Sequence, residues 1–459
     1  MNRRLLGLPV LAAVAAACLP GVAAAAKVPV TTTTMPGFKA PGTPSKLNKV
    51  FVTKYGPKKP KRVVVLIPGT SGGAGDFTNV AENVVKSVKG TAVWAIDRRS
   101  QALEDTSMFK KLLSGKATQQ QAIDYYLGWI GDPSITKHYV PQVDKNDAFA
   151  LKWGLNVSLE DIHRVVRAAR KVSHHKVMLG GHSLGGSTTV AYAVWDFAGQ
   201  AAWKDLSGLV LIDGAAAGKG ATVPDLAATK KSVEDFEKAG QPWLNLLKNV
   251  PLPWTTGVFV ELGAIAARLD PKGVSQVNSL KLLPAMFKTG FPVTNEAQLG
   301  FALDESTSPP DLGLIHVRAG SLATSGDPRQ WVPGEVTPIA NVARAFGQEP
   351  SNGTEWYFPV RLTMDLRGLA GLQPNAVTRY LGLHPKYAKQ VKLPVYAIQS
   401  SLSKGGLKKN VDSFVAMNHS KLTFVNAEKS NSHLDPLLAA PKTSAFLKTF
   451  VPWLKKNGR

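Results

Sequence analysis

The run Gly181-His182-Ser183-Leu184-Gly185-Gly186 constrains this chain more than any other. It follows the apolar stretch Lys176-Val177-Met178-Leu179-Gly180 and precedes Ser187-Thr188-Thr189-Val190-Ala191-Tyr192-Ala193-Val194. The first stretch predicts a buried strand, the second a helix of small residues. A G-x-S-x-G seated between them is a strand that turns into a helix within about one residue and leaves a serine exposed on the tip. Such a turn forces strained backbone angles on Ser183. Gly181 and Gly185 have no Cβ, so neighbouring backbones can approach closely. The helix N-terminus behind the serine offers N–H groups and a partial positive charge to a developing oxyanion. A Gly-Ser turn of purely structural use is the bland alternative, and the flanking strand and helix weigh against it.

A serine is a weak nucleophile at neutral pH and needs a base in reach and a third group to orient that base. In an α/β sheet the C-terminal ends of parallel strands face one crevice. His433, in Asn431-Ser432-His433-Leu434-Asp435-Pro436, follows the last predicted strand and projects towards that edge. His174 and His175 precede the serine's strand, His163 sits mid-helix, His182 lies inside the turn and packs beneath it, and His419 precedes its strand. His433 is therefore the expected base. For the acid, two loops are open. The strand Gly208-Leu209-Val210-Leu211-Ile212 ends directly in Asp213-Gly214. The loop after Pro394-Val395-Tyr396-Ala397-Ile398 carries no carboxylate until Asp412. Asp213 is favoured, Asp412 is the alternative, and Asp365 is the first to try should both fail. The oxyanion hole needs two backbone N–H groups. Leu184 supplies one, and the Gly-rich loop Pro68-Gly69-Thr70-Ser71-Gly72-Gly73 supplies the other through Thr70, with Ser71 second. That loop lacks the Lys-Ser/Thr ending of a phosphate-binding P-loop.

Around this constellation the chain alternates strands and helices. Continuous β-branched runs at Arg62–Ile67 and Thr91–Asp97 suit parallel strands buried on both faces. Ser158-Leu159-Glu160-Asp161 reads as a capped helix start. The alternation breaks after Asp213 and resumes near Pro394. The intervening block, 215–388, is rich in Pro and aromatics and mainly helical in pattern. Residues 27–48, rich in Thr, Pro and Lys, read as a flexible tether. Residues 1–26 read as a signal peptide: a basic Met1-Asn2-Arg3-Arg4, an Ala/Leu-rich run, and Ala24-Ala25-Ala26 before Lys27. A retained membrane anchor is the rival reading.

The single cysteine, Cys18, lies inside that leader, which excludes thiol nucleophiles and Cys-based zinc sites from the exported chain. The net charge of +23 is spread along the sequence, with no aromatic-interleaved basic block or zinc-finger spacing. A solvated basic surface accounts for it, and attraction to an anionic envelope or lipid surface is the sharper alternative. No nucleic-acid partner is implied.

With these residues in place the chain resembles the α/β-hydrolase superfamily, in particular its secreted esterase and lipase-like members. Gly181-His182-Ser183-Leu184-Gly185-Gly186 matches the lipase form of the turn, and Pro68-Gly69-Thr70 stands where the family often has His-Gly-X. The resemblance spans 49–214 and 389–459. It implies an α/β-hydrolase fold, with a mostly parallel sheet flanked by helices and residues 215–388 inserted as a cap after the sixth strand. Asp213 occupies the post-sixth-strand acid position used by a minority of the family, while the commoner post-seventh position is empty. The expected activity is that of an exported serine hydrolase on carboxylic esters with a hydrophobic acyl, aryl or polymeric part, and no metal or organic cofactor. An acyltransferase, a peptidase and a non-catalytic envelope-binding protein remain alternatives on the same scaffold.

Overall fold

The computed structural model describes residues 27–458 apart from 175, 248–251 and 349. The expected signal peptide, 1–26, lies outside the described residues. Eight strands form the central sheet, numbered here in chain order: β1 Val30–Pro36, β2 Lys49–Tyr55, β3 Arg62–Ile67, β4 Thr91–Asp97, β5 Val177–His182, β6 Gly208–Ile212, β7 Val395–Gln399 and β8 Leu422–Asn426. Their spatial order is β1-β2-β4-β3-β5-β6-β7-β8. β1 and β2 run antiparallel to their neighbours, and all later pairings are parallel.

Strand alternation splits the core into two layers. Val63, Val65 and Ile67 face the helices Leu155–Val172, Leu184–Val194 and Gly406–Asn418. Val64 and Leu66 face Thr78–Ser87 and the C-terminal helix Ala445–Asn457, which carries Phe446, Phe450 and Trp453. Continuous apolar runs were needed because each strand is covered on both sides.

The tether expected over 27–48 is corrected by the structure. Thr31 to Thr34 belong to β1, the edge strand, with Val30 opposite Tyr55 and Pro36 opposite Lys49. Threonine is β-branched and suits a half-exposed strand, and Pro36 ends an edge where its missing N–H costs nothing. The segment is pinned further on. Asp161 Oδ1 accepts the Phe38 N–H at 2.6 Å, and Arg99 donates to the Phe38 carbonyl at 2.9 Å. The helix expected to open at Ser158 starts at Leu155, behind Gly154. Its cap comes from a distant residue, since Asp365 Oδ2 accepts the Leu155 N–H at 2.9 Å.

Between β6 and β7 the chain leaves the sheet. It forms helices at Leu226–Ala239, Thr255–Leu269, Asn295–Leu303, Ile339–Phe346, Val360–Gly368 and Ala376–Tyr380, and a hairpin of Gly320–Gly326 with Arg329–Pro333. Most of its aromatics are core. Trp356 meets Phe109, Tyr126 and Tyr139 edge-on, and Trp243 meets Trp153 and Tyr357. Phe109, Tyr126 and Tyr139 come from the excursion between β4 and Leu155, so two separate segments build this third core together. Among the described residues no helix is long and apolar enough to cross a membrane.

Candidate active site

Ser183 stands between β5 and the helix Leu184–Val194 at φ 54° and ψ −122°. A positive φ at a non-glycine residue is strained and persists only where the surroundings dictate it. Here they do. The Ser183 N–H donates to the Ile212 carbonyl at 2.8 Å, and the Gly186 N–H donates to the Ser183 carbonyl at 2.9 Å. A Cβ on Gly181 would fall 2.3 Å from the Gly185 backbone, and one on Gly185 2.1 Å from the Ile67 carbonyl oxygen. Leu184 opens the helix, so its N–H is among those with no partner inside the helix.

β6 delivers Asp213, itself at φ 47°. His433, 2% exposed, lies in the loop after β8. Its Nδ1 is 2.5 Å from Asp213 Oδ2. The Asp213 carboxylate also accepts hydrogen bonds from the Ser400 N–H at 2.8 Å, from the Ser400 hydroxyl, and from Ser403 Oγ at 2.5 Å. Burial pushes this carboxyl up, but the bonds and charge of His433 and the two serine hydroxyls outweigh it and hold Asp213 well below the usual carboxylate range. An ionised Asp213 accepts the proton on Nδ1, which leaves the lone pair on Nε2. That Nε2 is buried and has no hydrogen-bond partner. His433 lines the same cavity as Ser183.

His182 backs this arrangement. Its Nε2 lies 2.9 Å from the His433 carbonyl oxygen, which only accepts, so Nε2 carries the proton. The two imidazoles lie 4.3 Å apart at 43°. Burial, reinforced by the neighbouring His433, pushes His182 down to about 3, so it stays neutral. Of the alternative bases, His163 Nδ1 is 2.9 Å from the Tyr192 hydroxyl, and His419 stands at the C-terminal end of the helix Gly406–Asn418.

The loop after β3 forms the facing wall. Arg98 Nη2 donates to the Pro68 and Gly69 carbonyls at 2.7 and 3.1 Å, and Nη1 donates to Glu355 at 2.7 Å. Thr70 and Ser71 both border the cavity, so the fold brings either N–H to the region. Leu246, Val260, Leu303, Ile315 and Phe346 make much of the cavity's remaining surface apolar.

Asp412 is excluded from this group, since it is half-exposed and pairs with Lys408 at 2.5 Å. Asp365 is held by Arg361 at 2.7 Å and by the Leu155 N–H. Neither partner set includes the imidazole.

On the Arg98 side Asp76, Asp97, Glu261 and Glu355 are buried and Glu104 is half-buried, with Asp76 and Glu355 bordering the cavity itself. Burial raises each of them. Asp97 and Glu261 rise to about 7, and Asp76 and Glu104 well above their ordinary values. Like charges add to the effect: Asp97 on Asp76, Glu355 on Asp97, Glu261 on Glu104.

Sequence reasoning missed Ser400, Ser403 and Arg98. The loop after β7 looked empty because it has no carboxylate, yet its serines hold the carboxylate of the next strand. The available signal was the polar run Gln399-Ser400-Ser401-Leu402-Ser403 directly behind a core strand. For Arg98 it was a cation placed at the C-terminal end of buried β4.

A family model described as "Alpha/beta hydrolase family" matches residues 64–387. Solved structures similar to the chain include a provisionally assigned lipase from Sulfolobus solfataricus, with 16% identity, 94% of each chain covered and a TM-score of 0.49. A thioesterase domain from the curacin biosynthetic pathway has 13% identity over 93% of this chain and 100% of its own, with a TM-score of 0.43. A thermostable carboxyl esterase from Bacillus coagulans has 12% identity over 94% and 99%, with a TM-score of 0.42. No curated protein matches.

Proposed function

We propose that this chain, which belongs to the alpha/beta hydrolase family, cleaves carboxylic esters through an acyl-enzyme on Ser183. The observation that carries the reading is His433, which lines the Ser183 cavity with one ring nitrogen bound to an ionised Asp213 and the other buried and unpartnered. In this reading Ser183 Oγ attacks the ester carbonyl as His433 Nε2 takes its proton. The Leu184 N–H, together with that of Thr70, holds the oxyanion. Collapse expels the alcohol, which takes the proton back from Nε2. Water then attacks the acyl-enzyme with His433 again as base, and the acid leaves. Asp213 keeps the proton on Nδ1 and stabilises the imidazolium. The apolar cavity wall favours a hydrophobic substrate over a small polar one.

Export belongs to the same proposal, with Lys27 as the first residue of the released chain. N-terminal sequencing of protein from the culture medium tests it.

The main test is a fluorophosphonate probe with a chromogenic ester panel. The wild type should label and turn over. Ser183→Ala should lose labelling and fall in kcat by on the order of 10⁶, with His433→Ala as severe and the double variant little worse. A wild type that neither labels nor hydrolyses any ester removes this reading and leaves a binding protein on a hydrolase scaffold.

A further inference from the structure

The Ser183 cavity does not stop at the sheet edge. A second chamber lies inside the insertion, between the helices Thr255–Leu269 and Asn295–Leu303. The two share Leu246, Thr256, Val260, Leu303 and Ile315, which form a common neck. Beyond the neck the wall includes Phe259, Val277, Leu283, Phe287, Leu299 and Leu312. Among the described residues that line it, two have polar side chains. Thr256 stands at the neck, and Gln298 has its amide nitrogen committed to the Phe287 carbonyl at 2.9 Å.

We infer that this chamber receives the acyl chain of the substrate, so that the protein selects esters of long, unbranched acids. The inference rests on the ester reading above and names its substrate class. Protein interiors are packed to the density of organic crystals, and apolar voids cost stability. An apolar chamber beside a nucleophile's cavity has the lining of a ligand site. The acyl part is the one assigned to it, because it remains bonded to Ser183 Oγ through both half-reactions. Burial of its chain then lowers the acylation barrier measured from free enzyme and ester, which kcat/KM reads. It also holds the acyl-enzyme until water attacks, whereas the alcohol must leave after the first step.

The experiment compares p-nitrophenyl esters from acetyl to dodecanoyl, alongside acetate esters of alcohols of rising length. In the wild type kcat/KM should rise about fourfold per added methylene until the chamber is filled. Gly263 and Ala302 line the chamber but not the Ser183 cavity. A Cβ on Gly263 would meet only Leu299 Cδ1, at 3.8 Å, so a larger side chain there has room to enter. Gly263→Leu and Ala302→Phe should each lower the dodecanoyl-to-acetyl ratio of kcat/KM at least tenfold. A ratio unchanged in both variants, a flat acyl series, or a length preference confined to the alcohol series overturns the inference. Calorimetry separates its failure from that of the ester reading. Dodecanoate should bind the Ser183→Ala protein and lose at least tenfold in affinity when Ala302→Phe is added. Binding of that kind without any ester turnover upholds the chamber while the ester reading falls. Absence of dodecanoate binding sinks the chamber whatever the esters do.

Discussion

Two groups of buried carboxyls lie on either side of the Ser183 cavity and behave in opposite ways. Asp213 is held in its ionised form, while Asp76, Asp97, Glu104, Glu261 and Glu355 are pushed towards the neutral one. Burial is common to both, so it does not decide the outcome. Nor does the number of donors: Glu261 accepts from Gln348, Asn352, Thr354 and Trp356 and still rises to about 7. Asp213 differs in facing an imidazole that can itself take a positive charge. The opposite group shares Arg98 among carboxyls that repel one another. A lone acid beside a base is kept charged and useful, whereas acids crowded at a packed seam are kept neutral.

The sharpest way to break this contrast is Asp213→Asn. If the ionised carboxylate fixes the His433 tautomer, kcat on a chromogenic ester should fall by on the order of 10⁴, because the amide favours the wrong tautomer. Circular dichroism should remain that of the wild type. A loss under tenfold would remove Asp213 from its proposed role.

Ser400→Ala with Ser403→Ala strips two hydroxyl donors from the same carboxylate and leaves the imidazole in place. Hydrogen bonds to a charged group contribute about 1.5–3 kcal/mol each, and part of that should appear as misorientation of His433. Steady-state kinetics should show kcat lowered roughly 10- to 100-fold with KM little moved. An unchanged kcat would mean that the imidazole and the backbone N–H of residue 400 suffice to hold the acid.

Asp97→Asn probes the opposite group through stability. Asp97 titrates near 7 when folded and near 4 when unfolded. Between those values the folded chain binds the extra proton, so stability falls as pH rises. The contribution is full below about pH 4 and is lost as pH passes 7. The wild-type melting temperature should therefore drop from pH 5 to pH 8 more than that of Asp97→Asn, by at least about 2 °C. Equal drops would show that Asp97 is ionised in the fold. Asp412→Asn, on an exposed carboxylate paired to Lys408, should leave activity unchanged and stability within about 0.5 kcal/mol.

The sheet and the serine turn were legible because strands buried on both faces must be continuously apolar, and because G-x-S-x-G between strand and helix leaves few folds open. His433 and Asp213 could be placed by topology alone, since both follow parallel strands on the same edge. Four threonines beside prolines read as a tether because composition does not reveal a pairing partner, and β1 exists only through its register with β2. Ser400 and Ser403 stayed hidden for a related reason. Their function lies in a bond to a residue on the neighbouring strand, far away in sequence. Of the insertion's aromatics, Trp254 and Trp356 pair with Phe109, Tyr126 and Tyr139 rather than lining the Ser183 cavity. Helical periodicity cannot tell a ring that lines a cavity from one that fills a core.

The excursion leaves β6 after Ile212 and re-enters the sheet at Val395, which pairs in parallel with Leu209. Its two ends thus lie on neighbouring strands but at opposite edges of the sheet, about a strand length apart. Each doubling of such a loop costs only about 0.6 kcal/mol in closure entropy. The scaffold can therefore exchange this module for one of another size without re-registering a strand. What a graft has to reproduce is the underside, where Glu355 meets Arg98 and Ser100. The catalytic edge and the substrate chamber can accordingly change on separate evolutionary clocks, so long as that seam and the shared third core are kept.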